Sequence, residues 1–235
     1  MDELLRTEAA NIGVYLSDAQ CETFMLYMRL LAEYNKKMNL TAITDEKNVI
    51  IKHFIDSLSA VPLISGRGGE IIDVGSGAGF PGIPIAIALP DAGVTLLDAT
   101  QKKVDFLHEA VRLLGLKRVT CIRARAEEAG RFIDMREQYG AAVARAVAPL
   151  DILAEYCLPF VIPGGFFYAL KGPGAKDEIK QAEGVIEKTG GAVVNVQPAG
   201  VSDLNHVFVI IKKIMRTPPE YPREYKKIAA GKTGR

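Results

Sequence analysis

The 235-residue sequence predicts an α/β protein: a doubly wound, mostly parallel sheet that ends in an antiparallel hairpin, preceded by an N-terminal helical extension. Three observations predict it. From about residue 70, short β-branched or apolar runs alternate with helical segments, as in a parallel sheet covered on both faces. Ala192–Val196 and His206–Lys213 then follow one another with no helix between them, so the last two strands should pair antiparallel. Before residue 65, apolar residues recur only at helical spacing. These patterns divide the chain into an extension over 1–65, a sheet domain over 66–215 and a basic tail over 216–235.

In order, the first strong helix opens at Ser17. Ser17-Asp18-Ala19-Gln20 has capping-box spacing, in which the Ser oxygen and the Gln side chain satisfy orphan N–H groups. Phe24, Met28 and Leu31 form its buried stripe, and it should end near Asn35. A polar connector, Tyr34–Thr41, leads to a second helix from Thr44-Asp45 to about Ala60, where Pro62 stops it. Strands are expected at Ile71–Val74, Val94–Asp98, Val119–Ile122, Ala141–Val147 and Phe166–Lys171. The helices between them should lie at roughly 83–89, 101–114, 150–158 and 175–189. The tail from Thr217 reads as loop.

Composition narrows the function classes. Apolar residues make up 49% and charged residues 24%, which suits an ordered globular chain with a substantial core. The net charge is +1, so a nucleic-acid partner would need a local basic patch. The N-terminus has no signal-peptide pattern, and the longest apolar runs are broken by Gly and Pro. Three cysteines with no CxxC pair argue against a disulfide scaffold or a zinc cluster. A cytoplasmic monomer with no metal and no membrane contact is the expectation.

The strongest local signal is Ile71-Ile72-Asp73-Val74-Gly75-Ser76-Gly77-Ala78-Gly79-Phe80-Pro81-Gly82-Ile83-Pro84. A glycine loop directly after the first strand permits a tight turn and close backbone approach to a ligand. Asp98 closes the next strand, where an acidic residue can grip a ribose hydroxyl pair. The GxGxxG pattern at Gly77–Gly82 invites a nicotinamide dinucleotide, but Asp73 would repel a pyrophosphate. A carboxylate there suits the ammonium and sulfonium of S-adenosylmethionine; Asp73 as a helix cap is the alternative. Arg145 ends a strand of small residues, so its guanidinium leaves the sheet plane toward either a ligand or a surface ion pair. His53, Asp56 and Ser57 share a helix face by i, i+3, i+4 spacing, as a substrate-orienting cluster or as a packing contact.

Many motifs in one order carry a resemblance to a known family. They are Asn39-Leu40-Thr41, His53-Phe54-Ile55-Asp56-Ser57-Leu58, the Asp73–Pro84 loop, Lys102-Lys103 with Phe106-Leu107, Arg125-Ala126-Glu127, Arg145-Ala146-Val147, Lys171-Gly172 and Tyr221-Pro222-Arg223. The chain resembles the glucose-inhibited division protein B family, methyltransferases that modify guanine N7 in small-subunit (16S) ribosomal RNA. The resemblance implies a Rossmann-like S-adenosylmethionine-dependent methyltransferase sheet. It also implies a cofactor site of Asp73, Gly75, Gly77, Gly79, Phe80, Asp98, Ala126, Glu127 and Arg145, with Ala126-Glu127 beside the adenine. Asn39, His53, Asp56, Arg145 and Lys171 become substrate-orienting candidates. The sequence departs from the family pattern at its end, where Glu224-Tyr225-Lys226-Lys227 and Gly231–Arg235 replace an Ala-Gly-like turn and a Lys-x-Pro-Leu ending.

Guanine N7 has a free lone pair, and the sequence offers no obvious nucleophile–base constellation. In A-form RNA the major groove is too deep for side chains, so the target must lie in a loop or leave its stack. Phosphate contacts are expected from Arg123, Arg125, Lys171, Arg223, Lys226 and Lys227, since residues 212–235 carry eight basic residues against two acidic ones. The competing readings are a small-molecule methyltransferase and a non-catalytic RNA-binding protein that retains the fold. His108 and His206 have no metal-ligand spacing and read as helix-face and strand residues.

Overall fold

The protein is described by a computed structural model that covers residues 1–201 and 204–230. Seven strands form one sheet in the order β3-β2-β1-β4-β5-β7-β6. β1 (Ile71–Val74), β2 (Val94–Asp98), β3 (Val119–Arg123), β4 (Tyr139–Arg145) and β5 (Val161–Lys171) run parallel. β7 (Val207–Lys213) lies antiparallel between β5 and β6 (Gly191–Pro198). The expected terminal pair therefore exists, with its second strand inserted inward. Adjacent residues send side chains to opposite faces. Ile71, Leu96 and Val143 accordingly join one apolar cluster, and Ile72, Leu97 and Ala144 the other.

The helices are α1 (Asp2–Asn11), α2 (Asp18–Met38), α3 (Glu46–Val49), α4 (Asp56–Leu58), α5 (Val61–Ile64), α6 (Gly82–Ala88), α7 (Gln101–Leu113), α8 (Ala126–Ala129), α9 (Leu150–Cys157), α10 (Ala175–Lys188) and α11 (Tyr225–Ala230). The Ser17 capping box forms as expected. The helix behind it passes Asn35 and ends at Met38, where Asn39 takes the left-handed cap conformation, φ 49°. Lys36 and Lys37 favour that extra turn by sitting at the negative end of the helix dipole. Leu5, Phe24, Tyr27, Phe54, Phe80 and Leu107 share one buried cluster, so the N-terminal helices pack on the same core as the sheet face they cover.

Four expectations change. The second helix is not regular: α3 and α4 flank a π-helical stretch, Ile50–Ile55. Pro62 does not simply stop that helix but sits in the first turn of α5, where a missing N–H costs nothing. β4 stops at Arg145 rather than Val147, because Ala146 turns the chain with a left-handed φ of 56°. The tail is not loop throughout, since α11 forms within it; Lys232 and Arg235 lie outside the described residues.

Candidate active site

The carboxyl ends of β1, β2 and β4 converge where a doubly wound sheet offers its ligand crevice. The loop after β1 is tight. Gly75 has φ 79°, and a Cβ there would lie 2.7 Å from Val147 Cγ2. A Cβ on Gly82 would meet Leu96 at 2.2 Å and the Asp73 carboxylate at 2.8 Å. Tyr27, from α2, donates its hydroxyl to the Ala78 carbonyl and ties the helical extension to this loop.

Asp73 is fully buried. Its Oδ2 accepts from the Gly82 backbone N–H at 2.8 Å, so it caps α6. Its Oδ1 accepts no hydrogen bond among the described residues. Burial, opposed by the Gly82 bond, pushes its carboxyl up to about 7. A capping role alone leaves that second oxygen unexplained; a cation approaching from the crevice would satisfy it.

A cleft of about 180 Å³ is lined by Gly75, Asp98, Arg125, Ala126, Glu127 and Tyr156, among others. Asp98 closes β2 and accepts from Gly77 N–H at 3.0 Å and Thr100 N–H at 2.8 Å. Its two oxygens keep lone pairs for further donors. Glu127, in the single turn of α8, is also buried; its Oε1 accepts no hydrogen bond among the described residues but has the Arg125 guanidinium 3.8 Å away. The two buried oxygens without a hydrogen bond, on Asp73 and Glu127, therefore belong to expected cofactor residues. These residues fit a ligand with a cationic end and hydrogen-bond donors further along.

Arg145 is not a surface pair, its side chain being 12% exposed. Nη1 donates to the Lys52 carbonyl at 2.8 Å and to Asp56 Oδ2 at 3.0 Å, and Nη2 lies 3.1 Å from His53 Nδ1. The guanidinium stands 5.0 Å from the centroid of the Phe80 ring, on which His53 also stacks at 4.6 Å. His53 Nδ1 lies 3.1 Å from both Arg145 Nη2 and the Lys52 carbonyl, and Nε2 lies 2.7 Å from Thr41 Oγ1; the contact with Arg145, which only donates, takes the tautomer protonated at Nε2. Burial, reinforced by Arg145, pushes His53 down to about 4, so it stays neutral at physiological pH. Asp56 Oδ1 meets His206 Nδ1 at 2.8 Å.

The remaining candidates separate. Ser57 leaves the cluster, donating to the His53 carbonyl. Asn39 is an exposed cap, and Asn35 is the amide that fixes the connector, bonding both Thr41 N and Thr41 O at 2.9 Å. Lys171, expected at phosphate, is 9% exposed; it donates to the Ala148 carbonyl and pairs with Glu178 at 2.7 Å. Arg223 is bound bidentately to buried Glu155, with Nη2 2.6 Å from Oε2. Both cations are thus engaged within the fold, Arg223 by a buried carboxylate and Lys171 by a half-buried one. Arg123, Arg125, Lys226 and Lys227 are exposed, and Arg125 lies 5.2 Å from the centroid of the Tyr225 ring on α11.

Sequence reasoning missed His206, Tyr27, Glu155 and Glu178. His206 lies 150 residues from Asp56, and no local spacing reveals that pairing. Among the described residues no group of His, Cys, Asp and Glu is placed to hold a metal, and no helix is long and apolar enough to cross a membrane.

Comparison with known proteins decides the family. The family model described as GidB, rRNA small subunit methyltransferase G, matches residues 20–207. The chain belongs to that family. It is 46% identical over 224 residues to the ribosomal RNA small subunit methyltransferase G of Alkaliphilus metalliredigens, covering 94% of each chain. It is 47% identical over 226 residues to that of a Thermoanaerobacter species, covering 94% of this chain and 93% of the relative. In fold it is similar to the M. jannaschii TYW2 structure in complex with AdoMet, with a TM-score of 0.55 at 17% identity over 74% of this chain and 80% of that one. Membership makes the chain an S-adenosylmethionine-dependent rRNA methyltransferase.

Proposed function

We propose that this chain transfers a methyl group from S-adenosylmethionine to N7 of a guanosine in 16S rRNA, acting as a cytoplasmic monomer on the small subunit or its RNA. The observation that carries this reading is the buried Asp73 beside the glycine loop, with one carboxylate oxygen that accepts no hydrogen bond among the described residues, together with buried Glu127 lining the cleft next to Gly75. Asp73 would neutralise the cationic end of the cofactor, Asp98 would accept from the ribose hydroxyls, and Ala126-Glu127 would flank the adenine. The cofactor supplies an electrophilic methyl carbon on a sulfonium.

The nucleophile is the N7 lone pair, so no side chain has to remove a proton before attack, and positioning supplies the rate gain. Arg145 uses three of its five N–H groups on Lys52, Asp56 and His53. The other two are left to donate to guanine O6, beside N7 on the same base edge. Neutral His53 keeps a second cation away from a ring that becomes positively charged on methylation. The exposed Arg123, Arg125, Lys226 and Lys227 would take phosphates, with Lys171 and Arg223 reassigned to structure.

Mass mapping of methylated nucleosides in rRNA from cells with and without the protein tests the reaction. Loss of one 7-methylguanosine from 16S rRNA is expected. Unchanged rRNA, or methyl transfer independent of RNA, overturns the reading in favour of a binding protein or a small-molecule enzyme. Asp98→Ala should weaken the cofactor at least tenfold by calorimetry, since hydrogen bonds to a charged group are worth about 1.5–3 kcal/mol each. Unchanged affinity would remove Asp98 from the ribose.

A further inference from the structure

We propose that His206 is a positioning residue for methyl transfer, acting through Asp56 to set the aim of the Arg145 guanidinium. The proposal rests on the reading of Arg145 as the group that faces the base. Asp56 is 1% exposed and divides its two oxygens between two partners from different strands: Oδ2 takes Arg145 at the end of β4, and Oδ1 takes His206 just before β7. The other contacts on Arg145, the Lys52 carbonyl and His53, come from the same π-helical stretch that leads into Asp56. His206 is the one member of the chain Thr41–His53–Arg145–Asp56–His206 that belongs to the far side of the sheet order, and its side chain is 34% exposed.

The physical coupling is a shared anion. Asp56 holds Arg145 with its whole charge when His206 is neutral, and with part of it when His206 is an imidazolium. The groups facing His206 are the Asp56 carboxylate and, beyond it, the Arg145 cation. The hydrogen bond to Asp56 raises His206 above its usual value, which favours the imidazolium. Protonation gives the cluster a net positive charge beside the site and loosens the grip on Arg145, freeing the guanidinium to turn toward a base. Removal of the imidazole leaves a buried carboxylate oxygen unpartnered, which draws Arg145 back onto Asp56.

Single-turnover methylation of small subunits from cells lacking the protein, between pH 6 and 9, tests this with His206→Ala and His206→Asn. The Asn amide nitrogen takes the place of Nδ1 but does not titrate. H206A should lose about tenfold in turnover while its cofactor affinity stays within twofold of the parent. H206N, a neutral donor like the unprotonated imidazole, should turn over faster than H206A and hold the parent's high-pH rate at every pH, without the fall that the parent shows as pH rises through the His206 titration. Thermal unfolding confirms that both variants fold, as expected for a partly exposed residue at a strand end. The proposal is overturned if H206A matches the parent at every pH. It is also overturned if both variants lose rate equally with the parent's pH profile retained, or if cofactor affinity falls in step with turnover. Arg145→Lys separates the two levels. If that variant keeps full turnover, the reading of Arg145 fails; if it loses turnover while H206A does not, only the role of His206 fails.

Discussion

Asp73 caps α6 with one buried oxygen and keeps the other without a hydrogen bond among the described residues, so under the proposed function the carboxyl's protonation would report what fills the site. Its pKa in the folded protein, about 7, lies above the unfolded value. The stabilising effect of its neutral form is therefore complete below the unfolded pKa and is lost as pH rises from about 4 through 7. Each unit of such a shift corresponds to about 1.4 kcal/mol. Asp73→Asn should accordingly unfold at a higher temperature than the parent at pH 8, match it near pH 4, and bind S-adenosylmethionine far more weakly. Equal melting of the two proteins at pH 8 would contradict the burial of an ionised carboxylate. Cofactor binding at pH 6 should also release a proton, seen as a calorimetric heat that varies with the buffer's ionisation enthalpy. Gly75→Ala tests the loop from the other side. Its φ of 79° and the 2.7 Å approach to Val147 should cost about 1–3 kcal/mol of stability and abolish cofactor binding.

At the level of elements, His53 in the π-helical stretch and Asp56 just past it reach one guanidinium, while the Ser57 hydroxyl donates back to the His53 carbonyl four residues earlier. The i, i+3, i+4 spacing made a common face legible in the sequence, but a Ser hydroxyl can bond its own helix as readily as a neighbour, so Ser57 could not be separated beforehand. The strands and the glycine loop were readable because alternation and glycine placement are local. The partners of Lys171 and Arg223 were not, because Glu178 and Glu155 sit on helices that only the fold brings near. Charge counts alone do not show which cations are already paired within the fold. Of the proposed phosphate contacts, Lys226 and Lys227 share α11. Lys226→Gln with Lys227→Gln should reduce the salt dependence of RNA binding by about 1.4 units of slope, taking roughly 0.7 per phosphate contact on single strands. An unchanged slope would take α11 out of the interface.

On the scale of the whole molecule, sheet and extension form one unit, with the tail folded against it. The mostly parallel sheet and its last antiparallel pair followed from the rhythm of strands and helices, whereas the place of β7 between β5 and β6 did not. The docking of the helical extension did not, because an amphipathic stripe shows that a helix is buried without showing against what. The tail is held twice. Glu155, wholly buried on α9, takes both the backbone and the guanidinium of Arg223. Glu155→Ala should lower unfolding stability by about 1–3 kcal/mol in urea titration, the cost of lost hydrogen bonds to a charged group, since the remaining Arg223 side chain is 37% exposed and can be solvated. It should also expose residues 217–223 to limited proteolysis; a protease-resistant variant would mean that other contacts suffice.

The second hold is of a different kind. Arg136 donates to the carbonyls of Thr217, Pro218 and Tyr221, and Arg131 to those of Glu220 and Pro222. Two guanidinium forks thus grasp a ribbon by its peptide oxygens, indifferent to what that ribbon displays. Between Thr217 and Arg223, whose own side chains are anchored, the intervening side chains can vary without slackening the clasp, and loss of one fork leaves the other and the Glu155 pair to hold the strap.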